Sequence, residues 1–293
     1  MVDARIRSIF KKGSKTYFYS TFFFPKMVKD DVSILYGFVR KADDFVDTIP
    51  QQVDSFMDFR ASYRRALSGE RTGDIVIDSF VDLMDRKGFE ESWVEAFLQS
   101  MEDDITISSY DTLKRLERYL YGSSEVIGLM MARVMGLPEE SHTAARYLGK
   151  AMQYINFIRD IEEDLGLGRS YFPSREMHRF GLEALNFEET SRKPEAFHGF
   201  VNAQIDRYFH WMETAEAGFK HIPRRYLIPI KTASDMYKWT ARKISANPFT
   251  VYRRKVKPSL NRIVYTALWN AISTHKHPDI PATIPAPQLA IMH

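Results

Sequence analysis

The chain has 293 residues, of which 44% are hydrophobic and 27% charged, a composition typical of globular proteins and unlike that of disordered chains. Its net charge of +3 is nearly balanced, so neither a nucleic-acid-binding surface nor an acidic tail is indicated, and no nucleic-acid partner is expected. The absence of cysteine excludes disulfide scaffolds, cysteine zinc sites and thiol nucleophiles.

Helical periodicity dominates the chain, and no alternating strand pattern stands out. Breaks such as SGERTGD, GLPEES and SRKPE separate the helical segments, without a flexible linker or an internal repeat. We therefore predict an all-α protein with one helical domain over 1–276 and a proline-rich, loosely ordered tail over 277–293. The predicted helices span 30–47, 54–67, 75–86, 91–105, 111–135, 141–164, 195–220, 228–245 and 258–274.

A first polar row lies in the helix predicted over 30–47. Its members follow one another at intervals of four, three and four residues, which places them on one helix face: Tyr36, Arg40, Asp43 and Asp47. The rest of this helix is strongly apolar, so the row is expected to face an interior cleft.

A second polar row lies in the helix predicted over 141–164. Its members follow at intervals of three, four and four residues: Gln153, Asn156, Asp160 and Asp164. Either row alone has an ordinary explanation as a solvated face, in which neighbouring bases such as Arg159 form surface ion pairs worth little. Two such rows on apolar helices favour two faces of one cleft.

Facing carboxylates require counter-charge. At ~6 Å, two carboxylates repel each other by roughly 3 kcal/mol at an effective dielectric constant of about 20. The rows contain oxygen ligands but no histidine or cysteine, which indicates Mg²⁺, or Mn²⁺, accompanied by waters and phosphate oxygens.

Four stretches of the chain resemble motifs of the squalene/phytoene synthase family. They are SKTYFYSTFFFP (14–25), RKADDFVD (40–47), YLYGSSEVIGLMM (119–131) and YINFIRDIEEDLGLGRSYFP (154–173), with a weaker match in NPFTVYRRKV (247–256). The resemblance implies a single-domain isoprenoid synthase-type helical bundle around a central apolar cavity.

The resemblance also implies the functions of individual side chains. Asp43, Asp47, Asp160 and Asp164, with Asn156, would bind metal and diphosphate. The residues expected to hold diphosphate oxygens are Ser14, Lys15, Tyr36, Arg40, Gln153, Asn156 and Arg159. The four aspartates, Tyr119 and Tyr171 are the expected catalytic residues. Tyr237 is a further cavity hydroxyl, and Asp104 is a lesser candidate.

The reaction that the resemblance implies is the head-to-head condensation of two prenyl diphosphates through a cyclopropyl-carbinyl diphosphate. Two geranylgeranyl diphosphates would give phytoene, whereas two farnesyl diphosphates would give presqualene diphosphate, dehydrosqualene or squalene, with NADPH needed only for squalene. Small residues favour room for the longer chain: Thr21, Gly122, Ser123, Ser124 and Gly128. We expect phytoene as the product.

Two alternatives of other kinds remain. A non-catalytic relative acting as an assembly or scaffold protein would be expected to lack aspartates in one row, whereas both rows are complete here. A chain-elongating prenyltransferase or a terpene cyclase would have acidic motifs with different spacing.

Two features depart from the family pattern. Glu125 introduces a charge into the tyrosine–glycine helix and is expected to line the cavity, pair with a base or face solvent. The basic residues Arg253, Arg254 and Lys255 would contact diphosphate, an anionic membrane or only water.

No apolar run reaches about 18 residues, and the N-terminus lacks a signal-like apolar segment. We expect a cytoplasmic protein with peripheral membrane contact, because the product would be a hydrocarbon. The segment IPRRYLIPIK (222–231) would either touch lipid or begin a helix. The oligomeric state is not predicted.

Overall fold

A computed structural model describes residues 2–13, 21 and 24–274. The α-helices in these ranges are α1 Ala4–Gly13, α2 Lys26–Val46, α3 Val53–Leu67, α4 Ile75–Lys87, α5 Glu91–Thr106, α6 Leu113–Leu120, α7 Val126–Met135, α8 His142–Arg159, α9 Ile161–Gly166, α10 Ser174–Arg179, α11 Phe187–Arg192, α12 Pro194–Glu216, α13 Arg224–Ala246 and α14 Leu260–Ser273. The described ranges contain no strand, only an isolated parallel bridge between Ser109 and Ser170. The all-α prediction is confirmed, and the predicted tail over 277–293 lies outside the described residues.

Polar caps fix several helix ends. The Asp74 carboxylate accepts a hydrogen bond from Val76 N (3.0 Å) at the start of α4, and the Ser259 hydroxyl accepts one from Arg262 N (3.3 Å) at the start of α14. Gly88, at a φ of 63°, ends α4 with the left-handed conformation that glycine tolerates best. These local signals explain why α4 lies almost where the periodicity predicts it.

The apolar interior has two parts. The first lies mainly among α1–α5 and α7, where Phe38 is fully buried and stacks on Phe80 with ring centroids 3.8 Å apart. The second lies mainly among α6, α8, α12 and α13, where Tyr154 and Phe200 are fully buried. Helix α8 packs against α7 on one side and against α12 on the other. This central position places α8, which carries most of the second polar row, between the two parts of the interior.

A wide π-helical turn, Tyr121–Glu125, joins α6 to α7 without a break in the helix. Glu125 in this turn is buried, and its carboxylate pairs with Arg146 Nη2 at 2.8 Å and with Lys150 Nζ at 3.4 Å, both on α8. Lys150 also pairs with Glu117 at 2.7 Å. Glu125, the charged residue that departs from the family pattern, therefore forms a buried ion pair with α8. Pairing with a base was one of the three expectations for this residue.

The predicted helix over 141–164 is wrong at one point, because the helix is interrupted at Asp160. This residue adopts φ −104° and ψ 17° between α8 and α9, while Asp160 N still donates to Asn156 O at 2.8 Å. The predicted helix over 195–220 also ends early, at Glu216, and continues as the 3-10 turn Ala217–His221. Periodicity cannot show a single non-helical residue whose neighbours keep the helical spacing.

The segment over 222–231 begins a helix, α13, at Arg224. Within the described ranges, every helix is too short or too polar to cross a bilayer.

Candidate active site

The first polar row lies along the C-terminal half of α2. Arg40 Nη1 donates to Asp43 Oδ2 at 2.7 Å and Arg40 Nη2 contacts Asp44 Oδ1 at 2.5 Å, so its guanidinium already holds two carboxylates. The Tyr36 ring stacks on Phe10, with centroids 4.2 Å apart. Asp47 ends the helix, its N–H donating to Asp43 O at 3.0 Å.

The second row crosses the break between α8 and α9. Gln153 and Asn156 are half-buried on α8, and Asp164 is half-buried on α9. At the break, Arg159 grips Asp160 with two hydrogen bonds, Nε to Oδ1 at 2.7 Å and Nη2 to Oδ2 at 2.5 Å. This fork fixes the orientation of the Asp160 carboxylate.

The carboxylates of the two rows affect one another's pKa. Burial, together with the charge of Asp47 in the same row, raises the pKa of Asp43 to about 8. Burial also raises the pKa of Asp164 to about 8, with contributions from Asp160 and, across the cleft, from Asp47. Because Asp47 caps α2 and Asp164 lies on α9, the ends of the two rows lie near each other, and we call this region the acidic site.

Arg169 connects the two rows directly, although the sequence analysis assigned it no function. Gly168, at a φ of 75°, turns the chain so that Arg169 N donates to Asp164 O at 2.9 Å. The Arg169 side chain is buried, and its Nη1 donates to Asp47 Oδ1 at 3.0 Å while its Nη2 donates to the backbone oxygen of Val46. The signal for this contact was the Gly-Arg-x-Tyr-x-Pro end of the second motif.

A buried carboxylate lies beside this connection. Asp104, near the end of α5, accepts hydrogen bonds from the hydroxyls of Tyr119 (2.7 Å) and Tyr171 (2.8 Å). Burial raises the pKa of Asp104 to about 6, against the opposing effect of Arg169 and the two hydroxyls. Tyr171 also stacks on Phe157, with centroids 4.1 Å apart. The two expected catalytic tyrosines thus share one acid, which sequence analysis ranked only as a lesser candidate.

The donor set at this site fits a divalent cation. Asn156 Oδ1 is buried and has no hydrogen-bond partner among the described residues, and it belongs to the row that ends in Asp164. The carboxylates offer oxygen ligands, and burial, followed by repulsion from neighbouring acids, raises the pKa values of Asp43 and Asp164. Nevertheless, within 2–13, 21 and 24–274 no three histidine, aspartate or glutamate side chains stand close enough together to hold a metal by themselves. A cation here would need further oxygen ligands, such as those of a phosphate group.

The other predicted binding residues differ in what the structure says of them. Ser14 and Lys15 lie outside the described residues. Tyr237, on α13, is close enough to Tyr36 and Arg159 for its charge to affect the pKa of both. It therefore lies near Tyr36 of the first row and near Arg159 beside the second row.

The basic stretch after α13 divides into two parts. Lys255 Nζ lies 3.2 Å from Asp160 Oδ1 and also pairs with Glu163. Arg253 and Arg254 are exposed, without a carboxylate partner in the described part of the chain. One of the three bases therefore reaches the acidic site, and the other two face solvent.

The expectation that small residues leave room for a long chain is wrong for two glycines. A Cβ atom at Gly122 would lie 2.2 Å from Ala96 O, and one at Gly128 would lie 2.1 Å from Ala145 O. Both positions are therefore filled by the backbone of neighbouring helices, and their small size serves close helix packing.

Comparison with known proteins adds independent information. Residues 10–262 match the family described as squalene/phytoene synthase. The chain is 27% identical over 282 residues to a 15-cis-phytoene synthase of Synechocystis sp., covering 88% of this chain and 81% of that protein. It is 25% identical to the 15-cis-phytoene synthase of Pantoea ananas, covering 77% of each chain.

Two solved structures share the fold. A dehydrosqualene synthase in complex with ligand superposes with a TM-score of 0.82 at 22% identity, covering 93% of this chain and 96% of that one. The squalene synthase HpnC from Alicyclobacillus acidocaldarius superposes with a TM-score of 0.74 at 20% identity, covering 84% and 93%. The predicted isoprenoid synthase-type fold is thereby confirmed.

Proposed function

Since the chain belongs to the squalene/phytoene synthase family, we propose that it is a Mg²⁺-dependent prenyltransferase that joins two geranylgeranyl diphosphates head to head to form phytoene. Relatives named as phytoene synthases support the choice of this substrate. The observation that carries the proposal is the pairing of the two aspartate rows, in which Asp47 raises the pKa of Asp164 and Arg169 contacts Asp47 and the Asp164 backbone.

Asp43, Asp47, Asn156, Asp160 and Asp164 would hold the cation and, through it, the diphosphate of the substrate. Bound there, Mg²⁺ neutralises the diphosphate so that it can leave as an anion. Burial and the neighbouring acids raise the pKa values of Asp43 and Asp164, so their ionised forms are disfavoured in the absence of a cation. A bound cation would relieve this cost, whereas a diphosphate that arrived without one would add to it.

The basic side chains around the rows orient the acids before substrate binds. Arg159 donates two hydrogen bonds to the Asp160 carboxylate, and Arg40 donates one to the Asp43 carboxylate. With a cation bound to these carboxylates, the guanidiniums of Arg159 and Arg40 would be able to bind diphosphate oxygens, for which their planar forks are suited. Gln153, Tyr36, Ser14 and Lys15 would add neutral or basic donors.

Tyr119, Tyr171 and Phe157 form an aromatic group at the acidic site. Their rings lie within 6.1 Å of one another, centroid to centroid, and Tyr119 and Phe157 are buried. Such a wall would exclude water from an allylic cation and present ring faces to it. The two hydroxyls are held by Asp104, so they would act from fixed positions.

The substrate is tested with purified protein, Mg²⁺ and labelled geranylgeranyl or farnesyl diphosphate in separate reactions, each with and without NADPH. We expect phytoene from the twenty-carbon donor, with no requirement for NADPH. Product only from the fifteen-carbon donor would instead assign a squalene-type reaction, and NADPH dependence would identify squalene as its end.

The acidic rows are tested by Asp43→Ala and Asp160→Ala. Each change removes a proposed ligand, so turnover should fall by about a hundredfold to a thousandfold, the range that single electrostatic groups contribute. Asp58→Ala, at an exposed aspartate of α3, is the matched control and should leave turnover unchanged. Turnover retained in either row variant, with helicity intact by circular dichroism, would contradict the proposed function of that row.

A further inference from the structure

The last described helix, α14, has an exposed apolar face. Six of the ten exposed large hydrophobic side chains in the described residues belong to it, each between 50% and 71% exposed: Leu260, Val264, Tyr265, Leu268, Trp269 and Ile272. Their spacing places them on one side of the helix, opposite the buried residues Ile263, Ala267 and Asn270. We call these six residues the α14 face. A cluster of this kind marks an interaction surface, unlike scattered surface hydrophobics.

The inner side of α14 is firmly attached to the bundle. Asn270 Nδ2 donates to Asp235 Oδ2 at 2.9 Å, and Arg224 Nη2 donates to Ala271 O at 3.0 Å, both partners lying on α13. The Arg262 guanidinium lies 4.9 Å from the ring centroid of Trp239. The α14 face therefore points away from the protein on a fixed support.

The charged residues in α14 and immediately beside it in the sequence have one sign. Between 253 and 278 the sequence contains six lysine or arginine residues and no aspartate or glutamate. Of these bases, Arg253, Arg254, Lys257 and Arg262 are exposed and have no carboxylate partner in the part of the chain that the structure describes. A partner of this surface must therefore combine an apolar layer with negative charge.

We propose that the α14 face is a membrane-docking surface that inserts into the headgroup region of an anionic lipid bilayer. Tryptophan and tyrosine beside aliphatic side chains match the polarity of that region, and the surrounding bases would contact lipid phosphates. The protein would lie on the bilayer without crossing it.

Two other occupants fit the charges less well. A second copy of the chain would bring one basic rim against another, since α14 carries no acid of its own. The C-terminal segment 275–293 contains a single acid, Asp279, together with one lysine, so it offers no excess of negative charge. Neither supplies the counter-charge that an anionic bilayer supplies.

The test measures co-sedimentation of the full chain with vesicles of phosphatidylcholine alone and of phosphatidylcholine with phosphatidylserine, without turnover as a readout. Wild-type protein should bind the anionic vesicles, and added salt should weaken the binding. Replacing Leu268 and Trp269 together by glutamate should weaken partitioning by more than about tenfold. Arg253→Gln and Arg254→Gln should each weaken it by about fivefold.

Met57→Glu is the matched control, because it places the same charge on another exposed apolar residue, in α3. It should bind vesicles like the wild type. Melting temperature and sedimentation equilibrium are measured on every variant, so that unfolding or dissociation is recognised. No binding by wild-type protein, equal binding by the Leu268/Trp269 variant, or conversion of a dimer to a monomer by that variant without vesicle binding would overturn the proposal.

Discussion

Asp104 shows how much a single buried side chain depends on its partners. Its carboxylate is buried, with two tyrosine hydroxyls within 2.8 Å and the Arg169 guanidinium at 3.9 Å. Burial drives the pKa of this carboxylate upward, whereas the two hydroxyl donors and the Arg169 cation oppose that rise. Each donor therefore contributes to both the stability and the ionisation of the acid.

Tyr119→Phe removes one of these donors and should lower the free energy of unfolding by about 1.5–3 kcal/mol, the usual contribution of a hydrogen bond to a charged group. The pKa of Asp104 should rise further above about 6 in this variant. Urea unfolding and carboxyl titration by NMR measure the two effects. Tyr110→Phe is the control: the Tyr110 hydroxyl is buried without a hydrogen-bond partner among the described residues, so its loss should not destabilise the protein.

The raised pKa values of Asp43 and Asp164 predict how stability changes with pH. Both are about 8 in the folded protein, above the ordinary carboxyl value of about 4 in the unfolded chain. At these two carboxyls the folded state therefore binds protons more tightly than the unfolded chain does. Their contribution to the free energy of unfolding is greatest below about pH 4 and is lost as the pH rises through about 8. The melting temperature of the metal-free protein should fall between about pH 6 and about pH 9.

Asp43→Asn should flatten this dependence, because it removes one titrating group and relieves the repulsion on its neighbours. Asp58→Asn, on the exposed face of α3, should leave the slope unchanged. A melting temperature that rises with pH over the same range would contradict the direction of the shifts.

Among elements, the long helices are largely predictable from sequence. Strong periodicity together with caps such as Asp74 and Gly88 fixes α4 to within a residue of its predicted end. The short helices α10 and α11 were not predicted, because six residues hold too few turns for a periodic signal.

The pairing of polar residues along each row was predictable from spacing, whereas the approach of Arg169 to Asp47, 122 residues apart in sequence, depends on tertiary structure.

Contact between α8 and the π-helical turn depends on a glycine. A Cβ atom at Gly149 would lie 2.3 Å from Ser124 O, so Gly149→Ala should separate the two elements and lower the free energy of unfolding by about 1–3 kcal/mol. Gly199→Ala, within α12, would place its Cβ 3.4 Å from the Phe180 ring, which is ordinary contact, and should stabilise by about 0.5–1 kcal/mol. Thermal unfolding of both variants measures the effect of the same glycine-to-alanine change, which should lower the melting temperature at Gly149 and raise it at Gly199.

At the scale of the whole molecule, the acidic site is assembled from α2, α5, α6, α8 and α9, which belong to both parts of the apolar interior. Ligand bound there would stabilise the contact between these parts. Because no three described acids form a complete metal site, the cation and the diphosphate are expected to depend on each other.

Addition of Mg²⁺ with inorganic diphosphate should therefore raise the melting temperature more than the sum of the two separate effects. At a concentration one hundred times the dissociation constant, one bound ligand stabilises by about 2.7 kcal/mol. Mg²⁺ with sulfate is the control for ionic strength. Equal shifts with Mg²⁺ alone and with both ligands would show that the carboxylates bind the cation without phosphate oxygens.

The π-helical turn Tyr121–Glu125 lets one continuous helix, from α6 to α7, direct side chains toward two different neighbours, α5 and α8. Its extra residue shifts the azimuth of everything that follows by about 100°, the rotation per residue in an α-helix. Tyr119 before the turn can thus point to Asp104 while Glu125 points to α8. Deleting Ser123 would restore regular winding but rotate Val126–Met135 out of phase with the interior. The π-helical turn therefore allows Tyr119 to reach the acidic site while α7 keeps its apolar side toward the interior.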